Sequence, residues 1–186
     1  MMGMKRVLLL GASGQLGSLV KNTVPDSVHL KALSRVELDI TDSLAVTQVV
    51  QEYAPTVIIN TAAYTQVDKA EVEEKQAFAV NATAVDHLTA SALPGTKIIH
   101  LSTDFVFSEL QKQPYKPDEV PLPVSVYGRS KLAGESALLE ADNVHSIILR
   151  SSWLYSATGR NFVTTMIGLM NSREELAVVN DQFGSP

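Results

Sequence analysis

The chain alternates short runs of β-branched and leucine residues with longer stretches in which apolar side chains return every three or four positions. The short runs fall at residues 4–10, 28–33, 56–60, 97–101 and 146–149. Runs of this kind suit strands buried on both faces, and the stretches between them suit crossover helices. Between the second and third runs, Val46, Val49, Val50 and Tyr53 lie on one helical face, with Thr41 or Asp42 placed to cap its start and Pro55 to end it. Before the fourth run, Phe78, Ala82, Val85, Thr89 and Ala92 form a second core-directed stripe, closed by Pro94 and Gly95. The pattern predicts an α/β fold, a doubly wound parallel sheet of Rossmann-like type with at least five strands. Residues 107–124 break it with Pro114, Pro117, Pro121 and Pro123, as a long surface loop would. Residues 161–170 again read as a helix and 175–179 as a strand, after which the ending at Gly184, Ser185 and Pro186 looks like a truncation.

Composition narrows the function classes. The 186 residues, 45% of them hydrophobic, suffice for one complete core. A net charge of -5 leaves no basic surplus for a phosphate backbone or an anionic bilayer, so neither nucleic acid nor membrane is an expected partner. There is no cysteine, and His29, His87, His100 and His145 lack ligand spacing, so no metal site is expected. The apolar runs are far shorter than the roughly 20 residues of a membrane span. No signal peptide precedes the first strand, and a cytoplasmic address follows as the default.

The first strand runs into Gly11, Gly14 and Gly17 in a Gly-x-x-Gly-x-x-Gly spacing, with Gln15 and Leu16 at the start of the next helix. Glycines let the backbone turn tightly beside a pyrophosphate, whose charge is favoured by the helix's free N–H groups. The second strand ends at Ser34 and Arg35, where an acid would select NAD. An arginine there accommodates a 2′-phosphate, so NADPH is the expected cofactor with NADH still accepted. Asp39, with Ile40 beside it, stands either as an adenine contact or as part of the next helix's capping segment. After the third strand, Ala62, Ala63 and Tyr64 follow Asn60 where the chain passes close to the cofactor.

A second constellation follows the fourth strand. Ser102, Thr103 and Asp104 put hydroxyls at the carboxyl edge of the sheet, where open α/β folds bind ligands. Tyr127 and Lys131 then stand four residues apart, about 6 Å along one helix face. A lysine cation beside a phenol lowers its pKa, so Tyr127 is expected to give a proton to a carbonyl oxygen as hydride arrives at carbon. Trp153 follows the fifth strand, either in the core or as a stacking platform for substrate. Asp68, Glu71, Glu73 and Glu74 read as a solvated helix face, and His100 as a packed core histidine.

With these residues in place the chain resembles the extended short-chain dehydrogenase/reductases, and within them the branch that reduces dTDP-4-dehydrorhamnose. Further marks of the resemblance are residues 38–42, 60–71, 127–135, 152–153, 160–163 and 181–186. It implies hydride transfer from NADPH or NADH to C4 of dTDP-4-dehydro-6-deoxy-L-mannose, giving dTDP-L-rhamnose. On that comparison Tyr127 is the proton donor, Lys131 tunes it and holds the nicotinamide ribose, and Thr103 bonds the C4 oxygen. Val67, Asp104, Phe105 and Trp153 border the dTDP-sugar. It also implies a dinucleotide-binding domain at 1–156 and, at 157–186, only the beginning of a C-terminal substrate-binding lobe, with a homodimer as one possible assembly.

Two departures stand out. Phe105 replaces the tyrosine usual two places after the active threonine, and Ser108 and Glu109 replace an Asp-Gly pair. Two other functions remain open: a sugar-nucleotide epimerase or dehydratase on the same fold, and a non-catalytic subunit like the regulatory one of methionine adenosyltransferase. A dehydratase needs acid/base carboxylates beside the threonine, and Phe105 supplies none.

Overall fold

In the computed structural model of the chain, residues 5–108, 113–157, 159 and 161–180 are described. Among them five strands form one parallel sheet: β1 (Lys5–Leu10), β2 (Val28–Leu33), β3 (Val57–Asn60), β4 (Lys97–Thr103) and β5 (His145–Ser151). Their spatial order is β2-β1-β3-β4-β5, with Leu10 level with both Leu33 and Asn60, and Asn60 level with His100. The order reverses between β1 and β3. A crevice therefore opens outside the carboxyl ends of those strands, which is where a ligand enters such a sheet.

The helices are α1 (Gln15–Thr23), α2 (Ser43–Tyr53), α3 (Val67–Ala70), α4 (Glu74–Phe78), α5 (Ala84–Ser91), α6 (Val126–Leu139) and α7 (Phe162–Met170). Right-handed crossovers place α1 on one face of the sheet, because β2 lies to one side of β1, and α2, α5 and α6 on the other, because β3, β4 and β5 follow on the opposite side. The larger core lies under that second face. Leu8, Leu10, Ile58 and Ile98 from the sheet meet Val46 and Val50 of α2, Val85 and Leu88 of α5, and Leu138 of α6. The opposite face is thinner, with Ile147 and Leu149 of β5 about half exposed.

The local signals act as expected at α2. Asp42 is its N-cap, accepting from the N–H groups of Leu44 and Ala45, and the helix stops at Ala54, ahead of Pro55. Strands β4 and β5 are longer than their apolar runs. Ser102 and Thr103 continue β4 in register with Arg150 and Ser151, and their hydroxyls find acceptors in the carboxylates of Glu135 and Asp104, so an apolar side chain is not required. The start predicted for the first strand, at Met4, lies outside the described residues.

Two expectations fail. Residues 175–179 are not a strand: they are mostly exposed, and no neighbouring strand pairs with them. A strand gains its stability from that pairing, which local pattern alone does not guarantee. The stripe from Phe78 to Ala92 is not one α-helix either, since Ala79–Thr83 forms a π-helical turn between α4 and α5. The wider turn buries Asn81, which is 1% exposed. The backbone of this turn lies close to α6, where a Cβ on Gly134 would collide with the Asn81 carbonyl.

Replacing Ile58 by alanine leaves a cavity at the centre of the larger core and is expected to lower stability by about 2–5 kcal/mol, read from urea unfolding.

Candidate active site

The loop from β1 to α1 forms half of the crevice. Gly11 has φ +76, a left-handed conformation that favours glycine, and a Cβ there would strike the backbone of Thr61 and Ala62. Gly14 is the N-cap of α1, and no side chain caps the helix start. Ser13 and Gly14 are exposed, Gly17 is buried, and Gln15 and Leu16 open the first turn at intermediate exposure. A pyrophosphate fits here: the turn is open to solvent at Ser13 and Gly14, and the first-turn N–H groups have no competing side-chain acceptor.

At the end of β2, Ser34 donates its N–H (2.8 Å) and hydroxyl (2.7 Å) to the Glu37 carboxylate, which these bonds hold below its ordinary pKa. Glu37 was not singled out in the sequence, yet it shapes the turn that presents Arg35. The Arg35 side chain is 75% exposed and stands 3.8 Å from the Asp39 carboxylate. Asp39 accepts from the N–H (3.0 Å) and hydroxyl (2.7 Å) of Thr41 and is acidified by them, so it belongs structurally to the turn before α2. Ile40 is 6% exposed and sits in the core.

Beyond β3, Thr61 ties the strand end to Leu10, and Ala62 gives its N–H to Asn60 Oδ1 at 3.1 Å. Ala63 is at intermediate exposure beside them. Asn81 reads the Tyr64 backbone twice, accepting from its N–H at 2.8 Å and donating to its carbonyl at 3.0 Å, and also donates to Ser130. The supposed solvated acid face is partly structural: Glu73 accepts from the Tyr64 hydroxyl, and Glu71 accepts from the Val126 N–H, the first amide of α6.

The structure draws Thr103, Tyr127 and Lys131 together around α6 and the end of β4. Thr103 is 5% exposed and Tyr127 is 9% exposed. The phenol packs edge-on against Phe105, with ring centroids 5.6 Å apart, and shares a small apolar cluster with Val67. Thr103 donates to Asp104 at 3.1 Å and accepts from the Phe105 N–H at 3.2 Å. Burial raises the Tyr127 phenol above its ordinary pKa, a hydrogen bond with Thr103 partly lowers it, and the Asp104 carboxylate raises it again. This corrects the expected direction: Lys131 does not acidify the phenol in this conformation. Its Nζ is turned onto β4, donating to the Leu101 carbonyl at 2.6 Å and standing 3.3 Å from His100 Nε2. Burial pulls the lysine down to about 8, against the opposing charge of Glu135.

Glu135 and Asn60 are among the buried polar residues to which the sequence assigned no role. Glu135 is held by Arg150, with an Nη2 to Oε2 distance of 2.6 Å, and by the Ser102 hydroxyl. Asn60 binds His100 Nδ1 at 3.1 Å. An acid eight residues beyond a tyrosine on a helix was a findable signal, whereas the Asn60–His100 pair depends on strand register. Trp153 stands apart: it is 44% exposed, has φ 48, and packs edge-on against Phe162. Arg160 and residues 181–186, which carried part of the resemblance, and Glu109, one of the departures from it, lie outside the described residues.

Fold and site together define a Rossmann-like α/β unit of the short-chain dehydrogenase/reductase type. The pattern of the RmlD substrate binding domain family matches residues 4–186, and the chain belongs to that family. It is 44% identical to a dTDP-4-dehydrorhamnose reductase of Aggregatibacter actinomycetemcomitans, across 98% of this chain and 63% of that protein. A reductase of the same name from Sinorhizobium fredii is 43% identical, across 97% of this chain and 61% of that protein. A crystal structure of dTDP-4-dehydrorhamnose reductase from Bacillus anthracis in complex with NADP superposes with a TM-score of 0.94 at 41% identity, covering 98% of this chain and 65% of that one. The chain thus spans less than two thirds of the length of these relatives. Among the described residues no helix is long and apolar enough to cross a membrane.

The depressed pKa of His100 sets a pH dependence. Its imidazole is pulled from 6.5 to about 3, by burial first and by the Lys131 charge second. Between those values the unfolded chain binds a proton that the folded chain refuses, so stability falls as the pH drops through that window, by up to about 1.4 kcal/mol per pH unit. Urea unfolding at several pH values from 6.5 downward is expected to show a shallower slope for His100→Gln than for the wild type.

Proposed function

We propose that this chain is the cofactor-binding part of an NAD(P)H-dependent reductase. The reaction is reduction of the C4 ketone of dTDP-4-dehydro-6-deoxy-L-mannose to dTDP-L-rhamnose. The observation that carries the reading is a buried phenol, Tyr127, in contact with the Thr103 hydroxyl at the carboxyl end of β4, on the edge where the glycine loop opens. Identity above 40% to named reductases of this substrate, and similarity to one that binds NADP, give it its chemistry.

In this reading NADPH, or NADH, supplies the hydride. Gly11, Gly14, Gln15, Leu16 and Gly17 hold the pyrophosphate, Ser34 and Arg35 the 2′-phosphate end, and Asp39, Ala62, Ala63 and Tyr64 the adenosine side. Ile40 contributes there mainly by packing beneath the turn, since it is buried. Thr103 and Tyr127 bond the C4 oxygen, and Tyr127 delivers the proton. A phenol with a raised pKa keeps its proton until negative charge develops on that oxygen, which suits a general acid. Lys131 holds the nicotinamide ribose together with Tyr127. Val67, Asp104, Phe105 and Trp153 line the sugar side.

Residues 1–156 then form the dinucleotide-binding domain, and 157–186 begin the substrate-binding lobe. A cytoplasmic homodimer with no nucleic-acid or membrane partner fits this role. Phe105 speaks against a dehydratase, since the neighbour of Asp104 carries an apolar ring in place of a second acid.

NADPH oxidation on addition of a dTDP-4-keto-6-deoxy sugar tests the reading, and turnover of sugar without net oxidation would sink it. Tyr127→Phe is expected to lower that rate by about 100-fold or more while weakening NADPH binding by no more than about tenfold, the loss of one ribose hydrogen bond. Arg35→Ala is expected to weaken NADPH binding about tenfold and NADH binding far less, measured by titration calorimetry.

A further inference from the structure

Lys131 is a charged residue type at 2% exposure, and its surroundings specify which hydrogens face it. The Ala62 N–H has only a hydrogen to offer, so the atom it meets at 3.1 Å must be the Asn60 carbonyl oxygen. That fixes the orientation of the Asn60 amide and turns its NH₂ toward His100 Nδ1, 3.1 Å away. Nδ1 must then be an acceptor. A neutral imidazole with an unprotonated Nδ1 carries its hydrogen on Nε2, the atom 3.3 Å from Lys131 Nζ.

An ammonium in that place would set two donors against each other. An amine accepts from Nε2–H through its lone pair and still donates to the Leu101 carbonyl at 2.6 Å. We propose that Asn60 and His100 are positioning residues: Asn60 locks His100 as the Nε2–H tautomer, and that N–H favours the amine of Lys131 over its ammonium while it lies against β4. The proposal deepens the reductase reading, in which Lys131 belongs to the reducing site.

The other groups that bear on Lys131 leave this arrangement intact. Glu135, one turn further along α6, would favour an ammonium, but both its oxygens are engaged by Arg150 and one also by Ser102. Tyr127, one turn before, is held protonated by its own burial. His100 itself resists protonation, being 1% exposed. The consequence is a lysine whose charge depends on its direction. It gives up its proton more readily when turned onto β4, and holds it when turned out to a phenolate or an anionic ligand in the crevice.

The test is nitrogen NMR of the ligand-free protein, which needs neither cofactor nor turnover and so can fail separately from the reductase reading. With ¹⁵N-labelled histidine, His100 is expected to show a protonated Nε2 and an unprotonated Nδ1. The ¹³Cε resonance of Lys131, assigned with Lys131→Arg, is expected to titrate near or below 8, well under the ordinary 10.5. The isosteric Asn60→Asp presents an acceptor to Nδ1, so it should move the hydrogen to Nδ1 and shift the lysine titration upward by about one unit or more. A wild-type His100 protonated on Nδ1, or a Lys131 titrating at its ordinary value, overturns the proposal whether or not the variant folds.

Discussion

The structure turns on how α6 meets the sheet. This helix buries Tyr127, Ser130, Lys131 and Glu135 against β4, β5 and the π-helical turn, and unpartnered polar groups in that position would cost several kcal/mol each. Each has an answer: Thr103 for the phenol, Asn81 for Ser130, the Leu101 carbonyl and His100 for the lysine, and Arg150 with Ser102 for the carboxylate. Among the described residues no buried side-chain nitrogen or oxygen is left without a partner. Because hydrogen bonds are directional, this matching fixes the rotation of α6 about its own axis, which packing of apolar side chains alone does less sharply.

Fixing that rotation is what makes chemistry available. The start of α6 is anchored by Glu71 from the segment after α3, and its middle lies close to the turn holding Asn81, where only a glycine at position 134 avoids a collision. Tyr127 is thereby held at the carboxyl end of β4, within the same edge that receives the glycine loop from β1. The phenol and the loop lie far apart in the chain, and strand order brings them to one crevice.

Burial then tunes the groups in different directions. It keeps the Tyr127 proton on, discourages a charge on Lys131, and keeps His100 neutral. A site with few standing charges of its own responds strongly to those a ligand brings, because the surrounding medium screens them weakly. Asp104 and Arg35, the charged residues near either end of the crevice, remain exposed and well solvated.

How much of this was legible beforehand differs by element. The five strands, the cap at Asp42, the glycine loop and the Tyr127–Lys131 spacing are local patterns, and local patterns survive in one dimension. The π-helical turn was invisible because a single extra residue per turn leaves the three-and-four stripe from Phe78 to Ala92 intact. The strand expected at 175–179 had the right residues but no partner, and pairing is a property of neighbours in space. Lys131 was read as facing the phenol, but four residues of spacing fix only where two side chains start. The direction in which the lysine ends was decided by His100 and Leu101, thirty positions away in sequence and adjacent only once β4 is packed under α6. By itself the order of residues determined which chemistry-bearing groups exist and which element carries each; the tertiary structure alone decided their hydrogen-bond partners and protonation, because both depend on long-range contacts and on the exclusion of water.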